Sequence, residues 1–145
     1  MIEVALSLAE AKVLEDVLTS SNKKSNRALA LAAKNVKGDA SKQKKLDEAR
    51  EAHEEKRGIV MKLRRLLKEA AEAADSICIS LSIAELRRLI KVLDTANEIG
   101  RVSLLRSGNS KSEYTANVAA GIDRRIAIRE KLAKELARAG IGEYS

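Results

Sequence analysis

The sequence has no Phe, no Trp and no Pro, and only two Tyr among 145 residues. Proline is the strongest breaker of helices, so its absence leaves few enforced breaks. A core must then be built from Leu, Ile, Val and Ala, which suits closely packed helices. Single-stranded nucleic acid is usually bound by stacking its bases on aromatic side chains. Two tyrosines make a poor surface of that kind.

Residue types that carry catalysis and bind metals are equally scarce. Cys78 is the only cysteine and His53 the only histidine, which excludes an internal disulfide, a cysteine-based zinc site and a pair of histidine ligands. No glycine-rich phosphate loop, dinucleotide-binding motif or calcium loop occurs. We therefore expect a protein that is not an enzyme and has no cofactor. Cys78 is expected to be a small buried or half-buried filler, and His53 a packing or interface residue.

Long apolar runs are also missing. No segment approaches the roughly 18 apolar residues of a membrane span, and no basic and apolar leader opens the sequence. With a single cysteine, a reducing compartment is the simplest setting. We expect a soluble, cytoplasmic protein with no membrane partner.

One stretch of the sequence occurs twice. The segment from Ile2 to Glu10 (IEVALSLAE) returns 75 positions later, from Ile77 to Glu85 (ICISLSIAE). Apolar residues alternate in both copies, which is typical of half-buried strands, and the Ser-x-x-Glu box that follows is typical of a helix start. The alternative is that these stretches merely begin or join helices. The repeat predicts a mainly α fold: an internally duplicated (β-α-α)×2 helical bundle with a pseudo-two-fold axis.

Helical periodicity fills the rest of each half. It predicts helices over residues 8–19, 27–36, 40–74, 83–105 and 113–139, with a polar interruption at 20–26 and a loop at 106–112. We treat residues 1–145 as one domain of two repeats, 1–75 and 76–145, with the two strands paired to each other or to a second chain. The helix over 40–74 would be about 52 Å long at 1.5 Å per residue, against a radius of gyration of about 15 Å for a chain of this size. The helix must project from the body of the protein, bend near Gly58 or pack along a second protomer. We favour packing along a second protomer, and hence a homodimer or higher homo-oligomer.

The net charge of +7 is concentrated in two segments that occupy corresponding places in the two halves. Residues 22–45 hold eight Lys or Arg and one Asp, and residues 101–111 hold three Lys or Arg and no acid. Loops before helix N-termini favour anions, because free N–H groups and the helix dipole point there. The predicted ligand-binding residues are Arg106, Asn109, Ser110, Lys111 and Tyr114 from one half, with Lys23, Lys24 and Arg27 from the other.

These features favour a helical homo-oligomer that binds an anionic ligand, a nucleotide-type molecule or nucleic acid, through paired basic loops. The alternative is an adaptor or inhibitor, for example a phage-type accessory protein, whose long helix docks on an acidic protein partner. A third interpretation is a purely structural assembly whose basic loops only keep the protein in solution.

Overall fold

The computed structural model of the protein describes residues 1–70, 75–107 and 113–143. Within these ranges the chain forms two short strands and four long helices. The elements are β1 (Ile2–Ser7), α1 (Leu8–Asn35), α2 (Ala40–Glu69), β2 (Ser76–Leu81), α3 (Ile83–Ser107) and α4 (Glu113–Arg138). The mainly helical class predicted from the sequence is confirmed.

The two strands pair with each other in an antiparallel ribbon, with Ile2 opposite Leu81 and Leu6 opposite Ile77. Their alternating apolar residues all lie on one face, which the helices cover. An isolated two-stranded ribbon is only marginally stable, so this cover is what stabilises it. The prediction that both segments form strands is therefore confirmed.

Each strand leads into a helix through a complete capping box. The Ser7 Oγ accepts a hydrogen bond from the Glu10 N–H at 3.0 Å, and the Glu10 Oε1 accepts one from the Ser7 N–H at 2.9 Å. Ser82 and Glu85 repeat both bonds at 3.1 and 2.9 Å. Two orphan donors of each helix start are satisfied in this way.

A lysine from a distant helix completes each box. Lys131 donates to Glu10 at 2.7 Å and to the Ala5 carbonyl at 3.3 Å, and Lys62 donates to Glu85 at 2.9 Å and to the carbonyl of Ser80 at 3.1 Å. Partial burial raises the pKa of both glutamates, but the lysines and the capping bonds outweigh it and lower the pKa overall. These contacts tie the start of each helix to the opposite half of the chain.

The predicted break at residues 20–26 is wrong, because α1 is a single helix from Leu8 to Asn35. Two of the serines that suggested a loop, Ser21 and Ser25, lie against α2 and form hydrogen bonds with its polar side chains. Ser25 Oγ lies 2.6 Å from His53 Nδ1, and Ser21 Oγ accepts a hydrogen bond from Lys56 Nζ at 2.9 Å. Tertiary contacts thus override the weak helix propensity of these residues.

The continuous α1 also changes the account of the long helix. The packing stripe of α2, which includes Leu46, His53, Lys56, Val60 and Leu63, is buried within one chain, and α1 packs along α2. The stripe therefore does not need a second chain to cover it, and packing along a partner stays a prediction. The helix ends at Glu69, and the last predicted position of the stripe, Ala74, lies outside the described residues.

The four helices form two hairpins, α1 with α2 and α3 with α4, that stand on the ribbon. Lys37 and Gly38, both at positive φ, make the turn of the first hairpin, and Gly140 at φ +73° ends α4. The hydrophobic core lies where both hairpins meet the ribbon. In the part of the chain that is described, no helix is long and apolar enough to cross a membrane.

Candidate anion-binding cleft

A cleft of about 450 Å³ separates the two hairpins, and all four helices line it. We call it the inter-hairpin cleft. The cations that line it are Lys24 from α1, Lys56 from α2, Arg88 and Lys91 from α3, and Arg125 from α4. Asp16 is the one carboxylate among the lining residues. The lining therefore has an excess of positive charge, and low-dielectric walls on both sides concentrate its effect.

Lys56 is the most buried of these cations, with only 8% of its surface exposed. Its Nζ donates to the hydroxyls of Ser21 at 2.9 Å and Ser25 at 3.4 Å, both neutral partners. Burial lowers the pKa of Lys56, and the positive charge of Arg88 lowers it further. The protonated amine would be stabilised by any anion that entered the cleft.

Arg125 occupies the α4 side of the cleft and is held by a neutral partner as well. Its Nε donates to the Oδ1 of Asn97 at 2.8 Å, and Asn97 is only 2% exposed. Burial lowers the pKa of the Arg125 guanidinium. Because Asn97 carries no charge, this hydrogen bond does not compensate the positive charge of Arg125.

Arg88 is the cation that is least well satisfied. Its Nε lies 3.5 Å from the Oε1 of Glu55, which makes an ion pair, but the Nε is buried without a hydrogen-bond partner. A buried donor without an acceptor costs about 1–3 kcal/mol. Such a cost is often tolerated at a binding site, where the side chain is kept for its ligand.

A second groove, on the outer side of the first hairpin, is a weaker candidate although it is larger, at about 750 Å³. Of its cations, Arg50 pairs with Asp47 at 3.9 Å, Arg57 with Glu54 at 3.8 Å and Arg64 with Glu15 at 3.2 Å. Among the described residues, a carboxylate lies beside three of the four lysines and arginines of this groove, whereas in the inter-hairpin cleft only Arg88 of the five lies beside one. The inter-hairpin cleft is the better anion site for this reason.

The predicted ligand-binding residues of the first half are dispersed. Lys24 lines the inter-hairpin cleft, whereas its neighbour Lys23 lines the outer groove, and Arg27 is exposed outside both. All three lie on the continuous helix α1, so the basic loop predicted for this half is wrong.

The predicted ligand-binding residues of the second half that the structure describes lie where α3 ends and α4 begins, away from the ribbon. Arg106 is exposed in the last turn of α3, seven residues beyond Ile99 and hence on nearly the same helix face, which continues one wall of the cleft. The Tyr114 hydroxyl lies 2.8 Å from Ser103 Oγ. Asn109, Ser110 and Lys111 lie outside the described residues.

The inter-hairpin cations Lys56, Arg88, Lys91 and Arg125 were not predicted as ligand-binding residues. Lys56 carried the only signal, because a lysine within an apolar 3-4 spacing must be buried at a cost. The roles of Arg88 and Arg125 depend on helices that meet only in the folded chain. No local pattern could have identified them.

The two scarce reactive residues take no part in this cleft. His53 is buried in the α1–α2 contact, as predicted for a packing residue. Cys78 lies on the face of β2 opposite Ile77 and Ile79 and is exposed, so the prediction of a buried filler is wrong. Its thiol donates to Glu3 at 3.1 Å, and this contact raises the pKa of the thiol. Among residues 1–70, 75–107 and 113–143 there is no cluster of three His, Cys, Asp or Glu side chains that could hold a metal ion.

No protein-family model matches the chain, and neither the curated proteins nor the solved structures gave a significant match.

Proposed function

We propose that the protein binds a small anionic ligand of the phosphate type in the inter-hairpin cleft and catalyses no reaction on it. The observation that carries this proposal is the charge of the lining, five cations against one carboxylate. In the described part of the chain, the hydrogen bonds of two of those cations, Lys56 and Arg125, go to neutral acceptors. An anion would supply the charge that these contacts lack.

The volume of the cleft favours a small molecule over nucleic acid. Pockets for small molecules commonly measure about 300–1,000 Å³, and the cleft falls in that range at about 450 Å³. Duplex nucleic acid is instead bound by cations spread along an exposed surface. The most buried cation of this cleft, Lys56, lies between helices, where a duplex could not reach it.

We further propose that the chain is an internal duplication and that the cleft lies at the junction of its halves. The contacts of Lys62 and Lys131 support this, since their partners Ala5 and Ser80 lie 75 residues apart in the sequence. Glu10 and Glu85 share the same separation. Apart from Arg88, the α1 and α3 residues lining the cleft follow the same rule, in the pairs 16 and 91, 17 and 92, 20 and 95, 21 and 96, and 24 and 99.

Isothermal titration of the purified protein with pyrophosphate tests the proposal. We expect binding that weakens as salt is added, because the attraction is between charges that salt screens. Arg88→Gln should weaken it about tenfold or more, which corresponds to about 1.4 kcal/mol. The matched control is Arg65→Gln, since Arg65 is exposed on α2 and lines no part of the cleft. Equal affinities for the two variants would refute the proposal.

An adaptor or inhibitor that binds a protein partner is the second candidate. It is favoured by the apolar side chains exposed far from the ribbon, Leu31 at 63% and Leu105 at 80%. Binding of a partner at these positions would depend little on salt, in contrast to binding of an anion in the cleft. A pull-down repeated at low and high salt separates the two functions.

A further inference from the structure

The uncharged residues that line the inter-hairpin cleft indicate which chemical group is attached to the anionic group of the ligand. These residues are Val17, Ala52, Val92, Ala96 and Ile99, which are all aliphatic, with hydroxyls from Ser20, Ser21 and Thr95. Among the described residues that line the cleft there is no aromatic side chain and no Asn or Gln side chain. The nearby amide of Asn97 is already bonded to Arg125.

This lining suits a nucleobase poorly. A base is usually held by stacking on an aromatic side chain and by hydrogen bonds to its polar edge. In this cleft its ring would meet only aliphatic groups, and its edge would lose hydrogen bonds to water without replacing them all. A saturated chain has no polar edge and avoids that loss.

Along α3 alone, the order of the lining residues separates a charged region from an apolar one; Arg125 of α4 lies beside the apolar region, at Gly100. Arg88 and Lys91 come first, nearer the ribbon, and Val92, Ala96 and Ile99 follow at the i, i+4 and i+7 spacing of one helix face. Val102 extends this stripe, so that it runs ten residues, or about 15 Å at 1.5 Å per residue. Ile99 is 50% exposed and Val102 37% exposed.

We infer that the ligand is an anionic amphiphile, a phosphate-type head on an aliphatic chain, with its head at Arg88, Lys91 and Lys56 and its chain along the α3 stripe. This inference rests on the proposed function, because it assigns a chemical class to the ligand of the same cleft. The chain would cover the apolar surface of Ile99 and Val102 that water now contacts, and that burial favours binding.

The experiment is isothermal titration with inorganic phosphate, AMP and dissolved butyl, hexyl and octyl phosphate, the last three below the concentrations at which they form micelles. Full burial of one methylene, about 0.8 kcal/mol, gives about a fourfold gain in affinity. Because the cleft is open along one side, we expect about a twofold gain for each added methylene. Hexyl phosphate should bind more tightly than AMP.

Two substitutions on α3 test where the alkyl chain of the ligand lies. Ile99→Gln replaces apolar surface by a polar amide on a residue that helices accept well, so it should abolish the gain in affinity with the length of the alkyl chain. Leu105→Gln is the matched control, since Leu105 is exposed on the same helix but does not line the cleft. Circular dichroism melting curves verify that both variants fold.

The outcomes separate failure of this inference from failure of the proposed function. Two results would overturn the inference alone. One is phosphate binding that depends on Arg88 but does not become tighter as the alkyl chain is lengthened, and the other is tighter binding of AMP than of hexyl phosphate. Absence of binding to every probe would overturn the inference and the proposed function. Flotation with anionic vesicles provides a further arm: a protein that binds vesicles but no dissolved alkyl phosphate recognises a membrane surface, which would also overturn the inference.

Discussion

Lys56 is the residue at which the requirements of folding and of the proposed anion binding conflict. It occupies a position of the α2 packing stripe that an apolar residue would fill without cost, and its amine contacts only hydroxyls. Replacing a buried ionic group by an apolar one of similar volume is often neutral or stabilising. Binding sites commonly retain such residues at the expense of stability.

We expect Lys56→Met to raise the free energy of unfolding by about 1 kcal/mol at neutral pH while weakening pyrophosphate binding. Urea denaturation and titration of the same variant measure the two effects. The control is Lys68→Met, in the exposed last turn of α2, which should change stability by less than about 0.5 kcal/mol. A Lys56→Met variant that is less stable and binds normally would contradict the assigned role.

The stabilising effect of Lys56→Met should also depend on pH. The folded protein lowers the pKa of Lys56 below its ordinary value of 10.5. Between the folded pKa and 10.5 the unfolded chain therefore binds more protons, so the stability of the unsubstituted protein rises with pH there. Lys56→Met lacks this rise. The difference in unfolding free energy between the two proteins should become smaller as the pH approaches 10.5.

At the scale of the elements, two helical glycines in different surroundings allow a direct comparison. A Cβ added at Gly58 in α2 would meet nothing within 4 Å, whereas one at Gly100 in α3 would lie 2.9 Å from Ile122 Cγ1 and 3.3 Å from Arg125 Nη2. Gly58 therefore lowers the helix propensity of α2, and no close packing at this position requires a glycine. Gly100 permits the close approach of α3 and α4 beside the cleft.

We expect Gly58→Ala to stabilise the protein by about 0.5–1 kcal/mol, the difference in helix propensity between the two residues. Gly100→Ala should instead destabilise it by about 1 kcal/mol, because Ile122 must move to make room. It should also weaken anion binding, since the guanidinium of Arg125 is displaced with it. Thermal unfolding of both variants and pyrophosphate titration of the second measure these effects. Equal stabilisation by both substitutions would rule out close packing at Gly100.

Elements whose pattern is local were predicted well from the sequence. The strands and the starts of α1 and α3 depend on alternation and on the boxes Ser7–Glu10 and Ser82–Glu85, which lie within a few residues of one another. Residues 20–26 were predicted wrongly because their helical state depends on partners in α2, about 30 residues away. The cleft depends even more on distant contacts, because Arg88 and Arg125 line it only when the two hairpins pack against each other.

At the scale of the whole molecule, the two hairpins share one core and one ribbon, and the cleft between them is complete within a single chain. An oligomer was expected because the apolar stripe of the long helix α2 needs a partner that covers it. In the structure, α1 packs along α2 and buries this stripe. Homo-oligomerisation stays a prediction, but the cleft does not require it. The number of ligands per chain therefore distinguishes a site inside the chain from one formed between chains.

We expect one pyrophosphate per chain in isothermal titration, with the same affinity at protein concentrations well below and well above any dimerisation measured by sedimentation. A site between two chains related by a two-fold axis would bind half a ligand per chain, and its apparent affinity would fall on dilution as the assembly dissociates. Ligand that binds only the native fold should also raise the melting temperature as its concentration rises. A ratio of one half, with a loss of binding on dilution, would place the anion between protomers and remove Lys56 and Arg125 from its contacts.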